Sequence, residues 1–362
     1  MKVKENKKTS KKIWIVLAII AGIILAAAVV IPKLLFPAYQ EPVVTGDHQV
    51  QEELFTWVDE SRVETFSDTG EKRALTVKFW YPKEEGNYPL VVFSHGAFGV
   101  IDSNYSTCKE LASNGYVVAS IAHPYHAMFV EDANGKVTIA DMDFVKQVYG
   151  GSGEYSEEAE RQMYESEKEW MALRTADEHF VLNTILSKAK EKEEGAFALI
   201  DAEKIGLFGH SMGGASSVQL GRERDDIDAV IDLEGTMLGE YTGFENGFEI
   251  YNEEPYTVPV LDVNSKAVRD DIERLENEHD GWQYVNDYFG QRATDYREVV
   301  FDGAGHLNFT DLPLISPFLA KMLGVGDVDA GECIENVNEV VLTFFDYYLK
   351  NEGSLTNLKS VY

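Results

Sequence analysis

The chain has 362 residues, 44% hydrophobic and 12% aromatic, which is enough apolar material for the core of one large globular domain; no motif recurs at a fixed period. A formal net charge of −30 repels phosphate backbones and excludes nucleic acid as a class of partner.

The first twelve residues run against that charge. They carry six lysines (Lys2, Lys4, Lys7, Lys8, Lys11 and Lys12) against Glu5, and read as a basic cytoplasmic tail. Ile13 to Ile31 follows, nineteen residues without a charge. At about 1.5 Å per residue, such a helix spans roughly the 30 Å of a bilayer's hydrocarbon core. The lysines before it and Lys33 after it place the N-terminus in the cytoplasm and the body outside. A secretory signal cut near Ala26-Ala27-Ala28 is the alternative, but the apolar run is longer than a signal needs, so the expectation is a single-pass cell-membrane anchor. Residues 32–51, with Pro37, Pro42 and Gly46, read as a linker from the membrane.

The body, residues 52–362, opens with two strand patterns, Phe55–Val58 and Ala74–Tyr81, joined through Asp68-Thr69-Gly70. Pro89–Phe93 is a continuous apolar run, the mark of a strand buried on both faces, and ends in Ser94-His95-Gly96-Ala97. A helix at 104–114 and a strand at Tyr116–Ile121 complete a parallel strand-helix-strand unit. Residues 127–165 read as a cap or lid. A long charged helix runs from about Ser156 to Lys190, with Met163, Trp170, Leu173, Phe180 and Ile185 as its inner stripe; its acid run reads as a solvated face. Cys108 and Cys333, the two cysteines of the chain, are assigned to the core.

Lys204–Ser217 organises the rest. It reads as strand, sharp turn and helix, with Gly209-His210-Ser211-Met212-Gly213 in the G-x-S-x-G pattern that lifts a serine hydroxyl above a sheet. Glycines are required where a side chain would strike the neighbouring strand or helix. Three further apolar runs follow: Ala229–Leu233, Val258–Val263 and Arg297–Phe301. An aromatic-rich loop, Tyr241–Tyr256, separates the first two, and a closing helix occupies about Ile334–Lys350.

A serine hydroxyl needs a base to take its proton and an anion to orient that base. With the order serine, acid, histidine, the base is His306, which follows a late strand, whereas His279 sits in a helical run. Three acids are candidates. Glu234 is taken first, because it lies furthest toward the carboxyl end of its strand, with Asp232 second and Asp262 third. The oxyanion of a tetrahedral intermediate needs two preorganised N–H groups; these are assigned to Met212, after the serine, and Ala97, on the loop after an early strand. His95 is expected to support that loop.

These residues carry a resemblance over most of 53–350. Asp59-Glu60-Ser61-Arg62, Phe79-Trp80-Tyr81-Pro82, Phe93-Ser94-His95-Gly96, Gly209–Gly214, Leu233-Glu234-Gly235-Thr236-Met237 and Gly305–Asp311 resemble the platelet-activating-factor acetylhydrolase group of α/β-hydrolases and its bacterial relatives. The resemblance implies an α/β-hydrolase fold with a mostly parallel sheet, helices on both faces and a cap. It also implies carboxylic ester hydrolysis with no metal or other cofactor, with Ser211, His306, Ala97 and Met212 in the roles given. The family pattern has aspartate where this chain has Glu234, and the cap and the aromatic loop depart from it, so the substrate does not carry over. The expectation is a serine esterase for small or short-acyl esters; the alternatives are a lipid- or polyester-directed hydrolase and a non-catalytic binding module.

Overall fold

The computed structural model describes residues 28–39, 41–150, 156–279 and 282–362. The expected membrane span, 13–31, lies outside them except for its last four residues, which begin a helical stretch over 28–35. Among the described residues, no helix is long and apolar enough to cross a membrane. The stretch 41–49, expected within the linker, lies along the body: Glu41 pairs with Lys109 at 2.6 Å, and the His48 amide donates to the Ser113 carbonyl.

Eight strands form one sheet: β1 (Val50–Val63), β2 (Lys72–Pro82), β3 (Tyr88–Ser94), β4 (Val117–Ala122), β5 (Ile200–His210), β6 (Ala229–Leu233), β7 (Val260–Ser265) and β8 (Tyr296–Phe301). Their spatial order is β1-β2-β4-β3-β5-β6-β7-β8. Strand β2 is antiparallel to both its neighbours, and every pairing from β4 to β8 is parallel. Sheets of this kind are covered on both faces, so their strands are apolar along their length. Accordingly all of β4 and β6, and all of β3 after Tyr88, are buried.

Helices α1 (Tyr105–Ser113), α2 (Met142–Tyr149), α3 (Glu157–Glu191), α4 (Met212–Glu223), α5 (Lys266–Glu278), α6 (Val285–Gly290) and α7 (Ala330–Phe345) pack around the sheet, with short helical segments at Leu312–Ile315 and Pro317–Met322. One core joins α3 and α4 to the sheet through Val181, Leu182, Ile185, Val218 and Leu220. The other joins α1 and α7 to it through Cys108, Leu111, Val337, Val341 and Phe344. Each such side chain contributes about 1.5–3 kcal/mol by leaving water. Both cysteines are buried and unpaired.

Three segments differ from the sequence reading. The cap contains a two-stranded ribbon, Phe129–Glu131 against Val137–Ile139, followed by α2; its expected end belongs to α3. The aromatic stretch from Tyr241 is a hairpin and not a loop, with Tyr241–Glu245 paired to Phe248–Tyr251. Its turn is Asn246-Gly247 at φ 55° and 88°, the pair that accepts two left-handed residues. On α3, the buried residues are Tyr164, Trp170, Met171, Arg174, Thr175, Asp177, Glu178, Val181, Leu182 and Ile185, so charged side chains occupy part of the face expected to be apolar. Met163, Leu173 and Phe180 are only half-buried.

The tail covers the carboxyl end of the β8 edge. Val300 donates to the Ser360 carbonyl, Tyr362 to Val300 and Asp302 to Tyr362, and the Tyr362 ring stacks on Phe301 at 5.2 Å.

Candidate active site

Strand β5 turns into α4 through Ser211, whose φ of 54° and ψ of −124° lie outside the regions that side chains ordinarily adopt. Packing enforces the turn. A Cβ on Gly209 would lie 2.2 Å from the Gly213 carbonyl, one on Gly213 would lie 2.0 Å from the Ser94 oxygen, and one on Gly214 would lie 1.8 Å from Asp232 Oδ1. The Ser211 amide donates to the Leu233 carbonyl at 2.9 Å, which ties the elbow to the end of β6.

That strand end carries Glu234, itself at φ 56°. Its Oε1 accepts from the Ser265 amide at 2.7 Å, and its Oε2 lies 2.8 Å from His306 Nδ1. Engagement at Nδ1 leaves Nε2 as the nitrogen able to receive a proton. The structure thus brings His306 and Glu234 together, and Gly235 lies directly against the Ser211 carbonyl. The other two acids serve elsewhere. Asp232 accepts from the Gly235 amide at 2.8 Å; burial, then neighbouring Asp262, push its carboxyl well up. Asp262 accepts from Tyr296 at 2.7 Å and Asn286 at 3.2 Å, and burial raises it to about 7.

His306 is held from below. His210 Nε2 meets the His306 carbonyl at 2.9 Å, and the two rings lie 4.5 Å apart. Burial, and then His306, keep His210 well below the usual histidine range, so it is neutral and donates this bond. Asn308 accepts from the Gly305 and Gly326 amides, while Asp311 accepts from the Ser106 amide at 2.7 Å.

The loop after β3 faces the elbow, and a Cβ on Gly96 would lie 3.1 Å from that of Ser211. The Met212 amide is the first of α4 and has no acceptor within the helix. In the loop, Phe98 (φ 58°) donates to the His126 carbonyl at 2.8 Å and Gly99 to Gly96 at 3.1 Å. The Ala97 amide has no protein acceptor among the described residues. The two N–H groups assigned to the oxyanion thus stand on the residue after the serine and on the loop that abuts it through Gly96.

Residues 69–357 match the family described as platelet-activating factor acetylhydrolase, isoform II. The chain belongs to this family. A platelet-activating factor acetylhydrolase from Cavia porcellus is 26% identical over 274 residues, covering 72% of this chain and 58% of the relative. The protein of that name from Gallus gallus is 25% identical over 295 residues, covering 72% and 62%. A probable 1-alkyl-2-acetylglycerophosphocholine esterase from Arthroderma benhamiae is 23% identical over 285 residues, covering 76% and 64%. The chain thus spans less than two thirds of the length of these relatives. Among solved structures, a ferulic acid esterase from Streptomyces cinnamoneus superposes with a TM-score of 0.64 at 23% identity, over 89% of this chain and 96% of that one. At that identity the likeness concerns the fold alone.

In this family member the site stands on a buried polar layer that the sequence reading missed. Arg174 of α3 is fully buried and donates to the carbonyls of His95 (2.8 Å) and Gly96 (3.3 Å) and to His126 Nδ1 (3.3 Å). Asp177 accepts from Arg73 twice at 2.6 Å and from Arg62 at 2.8 Å, and meets His123 Nδ1 at 3.0 Å. Arg62 belongs to the Asp59–Arg62 stretch that carried part of the resemblance. Burial would raise Asp177, but Arg73 and His123 outweigh it and hold its carboxyl well below the usual range. His95, as expected, supports the loop through Nδ1 to the Gly96 carbonyl at 2.7 Å; burial, then Arg174, hold its pKa well down. Above this layer, Phe144, Trp170, Met171 and Met212 form an apolar cluster against Ala97 and Phe98.

Proposed function

We propose that the protein is a membrane-tethered, outward-facing serine esterase that cleaves small or short-acyl carboxylic esters through an acyl-enzyme. Ser211 attacks the ester carbonyl as His306 takes its proton, and Glu234 stabilises the imidazolium that forms. The Ala97 and Met212 amides receive the developing oxyanion. His306 then protonates the leaving alcohol, and a water molecule repeats the sequence to release the acid. The observation that carries this reading is the 2.8 Å pairing of His306 Nδ1 with Glu234 beside a strained, glycine-walled serine. Membership of an acetylhydrolase family, and the names of the relatives, point to the same class.

The test is labelling by a fluorophosphonate, together with a burst of alcohol from an activated acetate ester. Ser211→Ala is expected to abolish labelling and to lower kcat by at least about 10⁴-fold. Turnover that survives that change rejects the reading. The tether rests on the sequence 13–31; the full chain should sediment with membranes and be open to protease added outside cells, and a soluble, fully protected body contradicts it.

A second reading, toward a lipid- or polymer-borne ester, is favoured by the exposed apolar residues of the cap: Met128, Ile139, Met142 and Tyr149. Tyr149 stacks on Phe98 at 5.2 Å, which places this surface beside the loop of Ala97. Hydrolysis of vesicle-embedded or film substrate faster than of a soluble acetate selects this reading.

A further inference from the structure

We infer that Arg174 is the positioning residue of the oxyanion loop, an assignment that rests on Ser211 being the nucleophile. A peptide group is planar and trans, so its C=O and N–H point in opposite directions. The peptide between Gly96 and Ala97 carries the Gly96 carbonyl on one side and the Ala97 amide on the other. Three donors hold that carbonyl: Arg174 Nη2 at 3.3 Å and His95 Nδ1 at 2.7 Å, both from buried side chains, and the Gly99 amide of the loop itself at 3.1 Å. Arg174 Nη1 holds the preceding carbonyl, of His95, at 2.8 Å. With both oxygens drawn toward α3, the Ala97 N–H is turned toward the elbow, where Gly96 abuts Ser211.

The guanidinium suits this work because its donors form a rigid planar fork that can hold two carbonyls at once, which an ammonium cannot. Its own placement is fixed as well. Arg174 Nε donates to His126 Nδ1 at 3.3 Å, and the His126 ring stacks on Phe144 at 3.9 Å and 5°. The His126 carbonyl in turn receives the Phe98 amide at 2.8 Å, so one histidine pins both the arginine and the far end of the loop. Asp177, three residues along the same helix, and Glu178 in its ionised form, one residue further, attract the buried cation without bonding to it. Burial lowers Arg174 to about 10, against the pull of Glu178 and Asp177, and it remains charged at neutral pH. A second path ends on the same carbonyl: the His123 amide donates to His95 Nε2 at 3.2 Å, and His123 is anchored by Asp177.

The experiment compares wild type, Arg174→Lys and His126→Phe, with Ser211→Ala as reference. Each is assayed with a soluble short-chain acetate ester and with an alkylboronic acid, which bonds the serine and places an oxygen in the oxyanion site. Loss of one oxyanion donor elsewhere costs 10²–10³ in kcat. Arg174→Lys is therefore expected to lower kcat about 100-fold with KM changed less than twofold, and to weaken the boronate by the same factor as kcat/KM falls. A merely structural role would not produce that parallel. Arg174→Lys with kcat within threefold of wild type overturns the inference, as does a fall in kcat with boronate affinity unchanged. Should Arg174→Lys fail to fold, His126→Phe keeps the ring stack while removing the acceptor of Arg174 Nε. It should lose about tenfold or more in kcat at constant KM, and an unchanged kcat in that variant overturns the inference. Turnover surviving in Ser211→Ala rejects the esterase reading itself, an outcome separate from either of these.

Discussion

Glu234 occupies a position where reach and direction matter more than charge alone. Held at φ 56°, it divides its oxygens between the Ser265 amide and His306 Nδ1. Glu234→Asp withdraws the carboxylate by one methylene, and kcat should fall about 100-fold, the cost of a misplacement near 1 Å. Glu234→Gln keeps the length but offers the imidazole a donor as readily as an acceptor; kcat should fall about 10⁴-fold, as when an orienting acid becomes an amide. Steady-state kinetics on one acetate ester checks both, and Gln outperforming Asp would contradict this account. Ser211 and His306 were legible because glycines mark the turns that present them. Glu234 was legible from its place at a strand end. Arg174 was not: the carbonyls it holds lie 78 and 79 residues away, and a lone arginine in a charged helix looks solvated until the fold is known.

At the scale of elements, the elbow and α3 are coupled through the loop between them. Gly213→Ala would drive a methyl to 2.0 Å from the Ser94 oxygen, which belongs to the backbone and cannot swing aside. It should destabilise the protein by about 3 kcal/mol and remove activity, both read from a urea titration with parallel assays. Asp177→Asn removes the carboxylate at the buried junction of Arg73, Arg62 and His123, and should cost about 3 kcal/mol in the same titration, because buried Arg73 then keeps Glu64 as its one carboxylate partner. The parallel strands were readable from their unbroken apolar runs. The buried face of α3 was not, since periodicity counts apolar residues whereas this helix buries a charged network. The hairpin at 241–251 was missed for a different reason: its Asn246-Gly247 signal sat among aromatic residues that read as a loop.

For the whole molecule, neighbouring carboxyls respond to pH in opposite senses. Asp177 is held below its ordinary value of 3.8, so its contribution is present above about pH 4 and is lost as the pH falls further. Glu178 is raised by burial, against its bond from Ser216, from 4.5 to about 7. Its protonated form favours folding at low pH, and that advantage is lost as the pH rises from about 4.5 through 7. Glu178→Gln does not titrate. Relative to wild type it should gain about 3 kcal/mol between pH 5 and pH 8 in urea titrations at each pH, and a constant difference would contradict the assignment.

The chain's last residues have a further consequence. A sheet border with unpaired amides and carbonyls invites docking by a strand from another molecule. Here Ser360 and Tyr362 occupy that border themselves, and Tyr362 adds its ring to Phe301. Removing residues 358–362, or forcing them outward with a rigid fusion, should therefore promote self-association, read as a rise in apparent mass by size-exclusion chromatography.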